Sequence, residues 1–529
     1  MDNLIEIAGD FGRFQYKAIL IVGLISALSS ACIYATIFIA AEPELICQKI
    51  TSSSERNIIP KIKNSNFSYD EKCSIWSEVQ RNQSSDMECF FDKSLYDTSI
   101  ITDWNLICEK QFMAGLTQTI HILGSIFGFF GGIFGDRYGR KRAVIIFSFL
   151  LTTCLLFSQL FLEEYFNLSF ESKYIIFSVS QFLIGLLVNC LYCTAYVLLM
   201  ELTTDKYTTS ISNLNSYIYI IGEIIVLVIY YYTRNWQILN WLIGLFSFII
   251  FLLTLTLRES PTWLISTNQN QKAFEILEEI AKQNGKPKIS MTLIETVNLE
   301  EKLLGDKNNL KLKNDENFIK NEFYQDFLVL KEIFFPKSTL IKTCLLFYIW
   351  LALMLLYYGI SLGVTSVDLV DPYLMYLLSA FAEFIGYVIC YINDIFGRKK
   401  TMFSFFLITT LMYSGIALIS ENIGENDSSY SWKAITLMIL ALIGKCVVSG
   451  CYHIAYIYTA ELYPTNTRNT AVLFLTCFGG LSSLIAPQIN ILKTVVWNPL
   501  PYIIYSISAL LGCICLLYLP ETHKLSLKQ

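Results

Sequence analysis

Five ionisable side chains stand inside long apolar stretches: His121, Glu223, Glu383, Lys445 and His453. A charge at the centre of a bilayer costs roughly 2.5–3.5 kcal/mol on insertion scales, so each needs a partner or a task. Glu383, in SAFAEFIGY, suits the counter-charge of a cation, or an ion pair with Lys445. Lys445 and His453 suit an anionic group such as a carboxylate, and a histidine can couple binding to protons. Trp350 and Tyr357 are seven residues apart and share one helical face. They offer rings over which a cation gains about 0.5–2 kcal/mol. The chain has 32 tyrosines, and most of them must serve packing or the membrane interface. No nucleophile, metal-ligand cluster or phosphate loop stands out, so no enzyme activity, metal or cofactor is expected.

A second kind of chemistry is written twice. GDRYGRKR at 135–142 packs four basic residues and one acid between two apolar runs, and NDIFGRKK follows at 393–400. The offset is 393 − 135 = 258 residues. ELTTDKYTT starts at Glu201 and ELYPTNTRN at Glu461, an offset of 461 − 201 = 260. Gly135 and Gly139 allow close backbone approach, and Asp136 can accept charge-assisted hydrogen bonds from Arg140 or a helix N-terminus. Glu201 can join them. Asp394, Gly397, Arg398, Glu461 and Arg468 are the counterparts in the second copy. Such a network suits a gate. Arg468 has no matching arginine in the first copy, where Glu201 + 7 is Thr208.

The elements that must position these groups follow from composition. The 529 residues are 54% hydrophobic and 16% charged, with mean hydropathy +0.48. Soluble domains carry about 25% charged residues. Twelve apolar runs are long enough to span a bilayer: 18–41, 112–134, 143–162, 174–200, 211–232, 236–257, 341–362, 373–392, 402–420, 433–458, 470–491 and 500–519. They are continuous rather than alternating, which predicts helices and an all-α membrane protein. No basic stripe with interleaved aromatics calls for nucleic acid; the lipid bilayer and a small molecule are the expected partners. Asp2, Glu6 and Asp10 precede the first run, so no cleavable signal peptide is expected.

Basic residues collect in cytoplasmic loops. Placing Arg13, Lys17, the two repeated clusters, Lys206, Arg468, Lys524 and Lys528 inside puts both termini in the cytoplasm. The loops carrying Glu163, Glu164, Asp368, Asp371, Glu421, Glu425 and Asp427 then face outward. So does 42–111, which holds Cys47, Cys73, Cys89 and Cys108, enough for two disulfides in one of three connectivities. It also holds glycosylation sequons at Asn66 and Asn82. Residues 258–340 carry 12 Lys/Arg and 13 Asp/Glu among 83 positions and read as a cytoplasmic helical linker. The expected organisation is a six-helix bundle over 1–257, that linker, a second bundle over 341–519 and a tail at 520–529.

Two parallel six-helix repeats are the plan of the major facilitator fold, with its substrate site at the midplane between them. Beyond that plan, the chain resembles the organic cation, carnitine and organic anion transporters of that superfamily. FGRFQ at 11–15, WNLIC at 104–108, GDRYGRKR, RESPTWL at 258–264, AELYPTNTRN at 460–469 and LPET at 519–522 carry the resemblance, nearly end to end. It implies a carboxylate at Glu383 and cavity aromatics at Trp350, Tyr357 and Tyr192, with Lys445 where the family has Arg and His453 where it often has a polar residue.

The departures from the family pattern narrow the substrate. Cation carriers have an Asp where this chain has Ser483; anion carriers have an Arg at Gly480 and a Lys at Gly386. The acid at Glu383 is kept and the anion-binding bases are missing. The expectation is a polyspecific plasma-membrane transporter of small organic cations or zwitterions, a carnitine-like betaine among them. It would work by alternating access, as a monomer or weak oligomer. With no acid in the first run, uniport by facilitated diffusion is expected, drawn by the membrane potential at about 2.3 kcal/mol per charge per 100 mV. An organic anion carrier and a sugar porter of the same superfamily are the alternatives. A sugar site needs clustered Gln and Asn, and LLFYIWLALMLLYYGISLGV has neither.

Overall fold

The computed structural model describes residues 2–9, 11–41, 43, 45–49, 73–74, 76–77, 87–93, 97–162, 169–267, 269–287, 337–363, 371–389, 393–421, 432–463 and 465–522. The sequons at Asn66 and Asn82, linker residues 288–336 and the side chains of Asp394 and Arg468 lie outside the described residues.

Among the described residues, twelve helices are long and apolar enough to cross a membrane. In the first half they are α1 (Arg13–Ile39), α2 (Gln111–Ile126, continued by Phe129–Tyr138), α3 (Arg140–Leu162), α4 (Phe170–Glu201), α5 (Asp205–Thr233) and α6 (Trp236–Thr254). In the second half they are α7 (Lys337–Leu362), α8 (Pro372–Ile389), α9 (Arg398–Glu421), α10 (Trp432–Leu462), α11 (Thr465–Gly479, then Gly480–Leu484 and Ala486–Val495) and α12 (Leu500–Leu517).

The two halves repeat one packing scheme. Helix α1 lies on α5, α2 on α4, and α3 on α4 and α6; in the same way α7 lies on α11, α8 on α10, and α9 on α10 and α12. Helix α1 is buried on nearly every face, which its apolar residues all round permit.

Two helices are interrupted where the apolar runs are continuous, and each break has a local cause. In α2 the turn tightens, the Ser125 carbonyl accepting from the Gly128 N–H at 3.0 Å and also from the Asn189 amide. In α11 the regular helix gives way to a 3-10 turn over Gly480–Leu484 ahead of Pro487. A proline has no N–H to give and its ring crowds the carbonyl four residues back.

Loops cap both ends. At the end holding Ile39 and Gln111, strands Leu45–Lys49 and Met87–Phe91 pair antiparallel, with Cys47 opposite Cys89. Cys73 is bonded to Cys108, and Cys89 is also in a disulfide. At the other end Asn284 ties the N-terminal segment to the helix Asn270–Gln283. Its amide donates to the carbonyl of Gly9 and to Gln15 Oε1, at 3.2 and 2.9 Å.

Candidate functional site

The repeated basic motifs form two matched clasps. Gly139 and Gly397 have φ of +101° and +98°, the left-handed region that favours glycine, and each ends a short helical stretch just before α3 or α9. The first residue of the next helix is an arginine that turns back. Arg140 meets Glu201 Oε1 at 3.1 Å, Asp136 Oδ1 at 2.6 Å and the Gly135 carbonyl at 3.1 Å. Arg398 meets Glu461 Oε1 at 3.3 Å. The Arg140 and Glu201 side chains are 12% and 20% exposed, whereas Asp136 is 71% exposed and contributes little.

Two further acids complete the clasps and were given no role by the sequence reading. Glu259 Oε1 accepts from the Lys141 backbone N–H at 3.0 Å, at the start of α3. Glu521 Oε1 accepts from Arg398 and Lys399 N–H at 2.9 and 3.2 Å, and its Oε2 from Lys400 N–H at 3.4 Å. Carboxylates at helix N-termini satisfy orphan amides and complement the helix dipole. The chain just after α6 and just after α12 therefore returns to fasten the loop before α3 and before α9. A signal was present: 521 − 259 = 262, close to the repeat offset. Trp263 adds a bond from its indole N–H to the Asp136 carbonyl at 2.8 Å. A Cβ on Gly397 would sit 2.8 Å from Glu521 Oε2. Gly397→Ala is therefore expected to lower stability by about 1–3 kcal/mol, read as a fall in unfolding temperature in detergent.

The second site lies in the middle of the bundle, where the halves meet. Lys445 on α10 is 1% exposed and forms an ion pair of 2.8 Å with Glu383 Oε2 on α8, which is fully buried. Glu383 Oε1 accepts from Tyr357 Oη on α7 at 2.6 Å and from Tyr387 Oη, one turn along α8, at 2.8 Å. Lys445 also donates to Ser361 Oγ, and its ammonium stands 4.4 Å from the centre of the Tyr357 ring. Thus two side chains one turn apart on α7, Tyr357 and Ser361, address the two members of the pair. The first half supplies Tyr34 on α1, whose hydroxyl lies 3.4 Å from that of Tyr357. It also supplies Glu223 on α5, which is 1% exposed. Its Oε2 has no hydrogen-bond partner among the described residues.

The other sequence candidates take varied places. Trp350 stands in a layer behind: it is fully buried, donates its indole N–H to Thr459 at 3.0 Å and packs on Tyr452 and Tyr456. Tyr357 stacks on the same Tyr452 at 5.0 Å, so the shared face of α7 is real, and its two aromatics differ in their hydrogen-bond partners. The Tyr192 hydroxyl accepts from Asn215 at 3.3 Å. His453 is half-buried, its ring 5.9 Å from that of Tyr387. His121 Nδ1 is bound to Gln181 at 3.1 Å inside the first half. A side chain at Gly386 would meet the Cys446 carbonyl, since α8 and α10 touch there.

Towards the end that carries the disulfides, aromatic rings join the halves. Phe38 stacks on Tyr230 at 4.7 Å and packs on Tyr376 at 5.0 Å, and Tyr373 meets Tyr231 at 5.4 Å. Such ring pairs add about 0.5–1.5 kcal/mol each beyond area burial.

Twelve spanning helices in two six-helix repeats, matched clasps at one end and an ionic cluster at the junction define a transporter of the major facilitator fold. The xylose transporter XylE from E. coli, partially occluded and inward-open, shares that fold with TM-score 0.62 at 14% identity, over 96% of this chain and 98% of that one. The sugar (and other) transporter family matches residues 75–529, and the chain belongs to that family. The chain is a multi-pass membrane protein.

It is similar to the organic cation transporter protein of Drosophila melanogaster, 24% identical over 98% of this chain and 92% of that protein. It is also similar to solute carrier family 22 member 2 of Mus musculus, 25% identical over 100% of this chain and 94% of that protein.

Proposed function

We propose that the protein carries small organic cations or zwitterions across the plasma membrane by alternating access, with both termini in the cytoplasm. The observation that carries this reading is the charge balance at the junction: two buried acids, Glu383 and Glu223, face one base, Lys445. The tyrosines around them leave the cluster short of positive charge and rich in aromatic faces, a setting that favours a cation. A betaine fits as well, its carboxylate on Lys445 and its quaternary ammonium near the acids. The named relatives point the same way. A sugar would be held by neutral donors and acceptors in numbers, and the middle of this bundle is ionic instead.

The gate acts through the clasps. Each is closed inside its own half, so each half can rock as a block about the central cluster, while the ring contacts of Phe38 with Tyr376 and of Tyr231 with Tyr373 join the halves at the opposite end.

Saturable uptake of radiolabelled tetraethylammonium into cells expressing the protein tests the reading. Glu383→Gln is expected to lower uptake about tenfold or more at equal surface abundance, the equivalent of ~1.4 kcal/mol or more. Carnitine is expected to compete. Surface protein that transports neither compound would end the proposal.

A further inference from the structure

Glu223 differs from Glu383 and Lys445 in making no ion pair among the described residues. It lies on α5, in IIGEIIV, and is buried to the same degree as Lys445. Lys445 is engaged by Glu383 and Ser361. The groups that face Glu223 can be named helix by helix. Helix α1 presents Tyr34, α8 presents Tyr376 and Glu383, and α10 presents Lys445. Helix α6 carries no titratable side chain, and Tyr219 stands one turn before it on α5. Tyr376 donates to the Glu223 backbone carbonyl, at 3.4 Å, and not to its carboxyl group. The nearest base is thus taken, the nearest acid repels, and Oε2 is left without a donor. An ionised carboxylate in that position would lack several kcal/mol of compensation. A neutral carboxylic acid would not.

We infer that Glu223 carries an exchangeable proton, which it gives up when an organic cation binds beside it, so that the protein exchanges one cation for one proton. The step balances simply. The O–H bond of the Glu223 carboxylic acid breaks, the proton leaves to the aqueous face from which the cation came, and the carboxylate keeps the electron pair and faces the cation. When the cation departs on the other side, the carboxylate takes a proton from that side. The cluster then carries the same net charge with and without its cargo, and no buried carboxylate is ever left uncompensated. Exchange replaces the potential-driven uniport expected from the lack of an acid in the first helix. The inference rests on the cation reading above, because only a cation gives the proton a reason to leave.

The test uses the full chain reconstituted in liposomes, with tetraethylammonium as the probe. Its charge is permanent, so any pH effect belongs to the protein. With the potential clamped at zero, an acidic lumen is expected to drive uptake, to about tenfold accumulation per pH unit for one-for-one exchange. The lumen should become alkaline as the cation enters. Glu223→Gln should lower uptake, and the uptake that remains should ignore the pH gradient and follow an inside-negative potential. Glu223→Asp should keep the gradient response, which separates loss of the proton from damage to the fold. Uptake by the unaltered protein that follows potential and ignores the gradient would overturn exchange and leave the cation reading intact. If the unaltered protein carries no tetraethylammonium, the cation reading fails, and infrared difference spectra decide the proton separately. A protonated-carboxyl C=O band present in the unaltered protein and missing in Glu223→Gln supports it; no such band overturns it.

Discussion

Lys445→Met is expected to be the most damaging single change in the membrane, at about 3–5 kcal/mol of stability. Removing one member of a buried ion pair leaves the other charged and uncompensated, and losses of that size follow. Glu383 keeps only the hydroxyls of Tyr357 and Tyr387. Methionine nearly matches the volume, so packing changes little and the effect is electrostatic. The measurement is a double-mutant cycle of unfolding temperatures in detergent. Glu383→Gln added to Lys445→Met should restore much of what Lys445→Met removes, because the charge that lacked a partner is gone. Equal, additive losses would show that the pair is not coupled. Transport should stay low in both single variants and in the double variant, since folding and cargo recognition draw on the same groups.

Glu521→Ala is expected to cost about 3 kcal/mol, and Glu259→Ala about half as much. Each backbone N–H given to a carboxylate is a charge-assisted bond, worth roughly 1.5–3 kcal/mol when lost from a sheltered site. Glu521 receives three such amides from α9 in succession, where Glu259 receives one from α3. Glu521→Ala also leaves Gly397, at φ +98°, with less to hold the turn. The prediction is checked by comparing the two variants for unfolding temperature and surface yield. Similar losses would mean that the halves are fastened by other contacts.

What the sequence disclosed, and what it hid, divides along physical lines. The twelve spans were legible because a bilayer imposes a length and a composition on each helix separately, and the ends of α3 or α9 need no knowledge of any neighbour. The clasp arginines were legible because they recur at one offset. Gly480–Leu484 leaving the α-helical ladder was less so, though Pro487 announced it. The central cluster was legible in its parts and not in its wiring. Spacing put Trp350 and Tyr357 on one face of α7, but a face does not choose partners: one indole turned to Thr459 and one hydroxyl to Glu383. Glu223 was harder still. It read as one acid among isoleucines, and the groups that give it meaning are 383 − 223 = 160 residues away or more, in the other half. Phe38, Tyr230 and Tyr373 gave no signal, since aromatic rings are abundant here and stacking leaves no periodicity.

The two clasps also set a timetable. Glu259 leaves the ribosome 521 − 259 = 262 residues before Glu521. At 5–20 residues per second that is on the order of 10–50 s. Throughout that interval the first bundle can already be buckled by its own acid, while the second, once α9 is made, waits over the last 521 − 421 = 100 residues with three amide groups unanswered. The half that is born first is thus finished as a unit before its partner exists, and it can serve as the surface against which α7, α8 and α10 assemble.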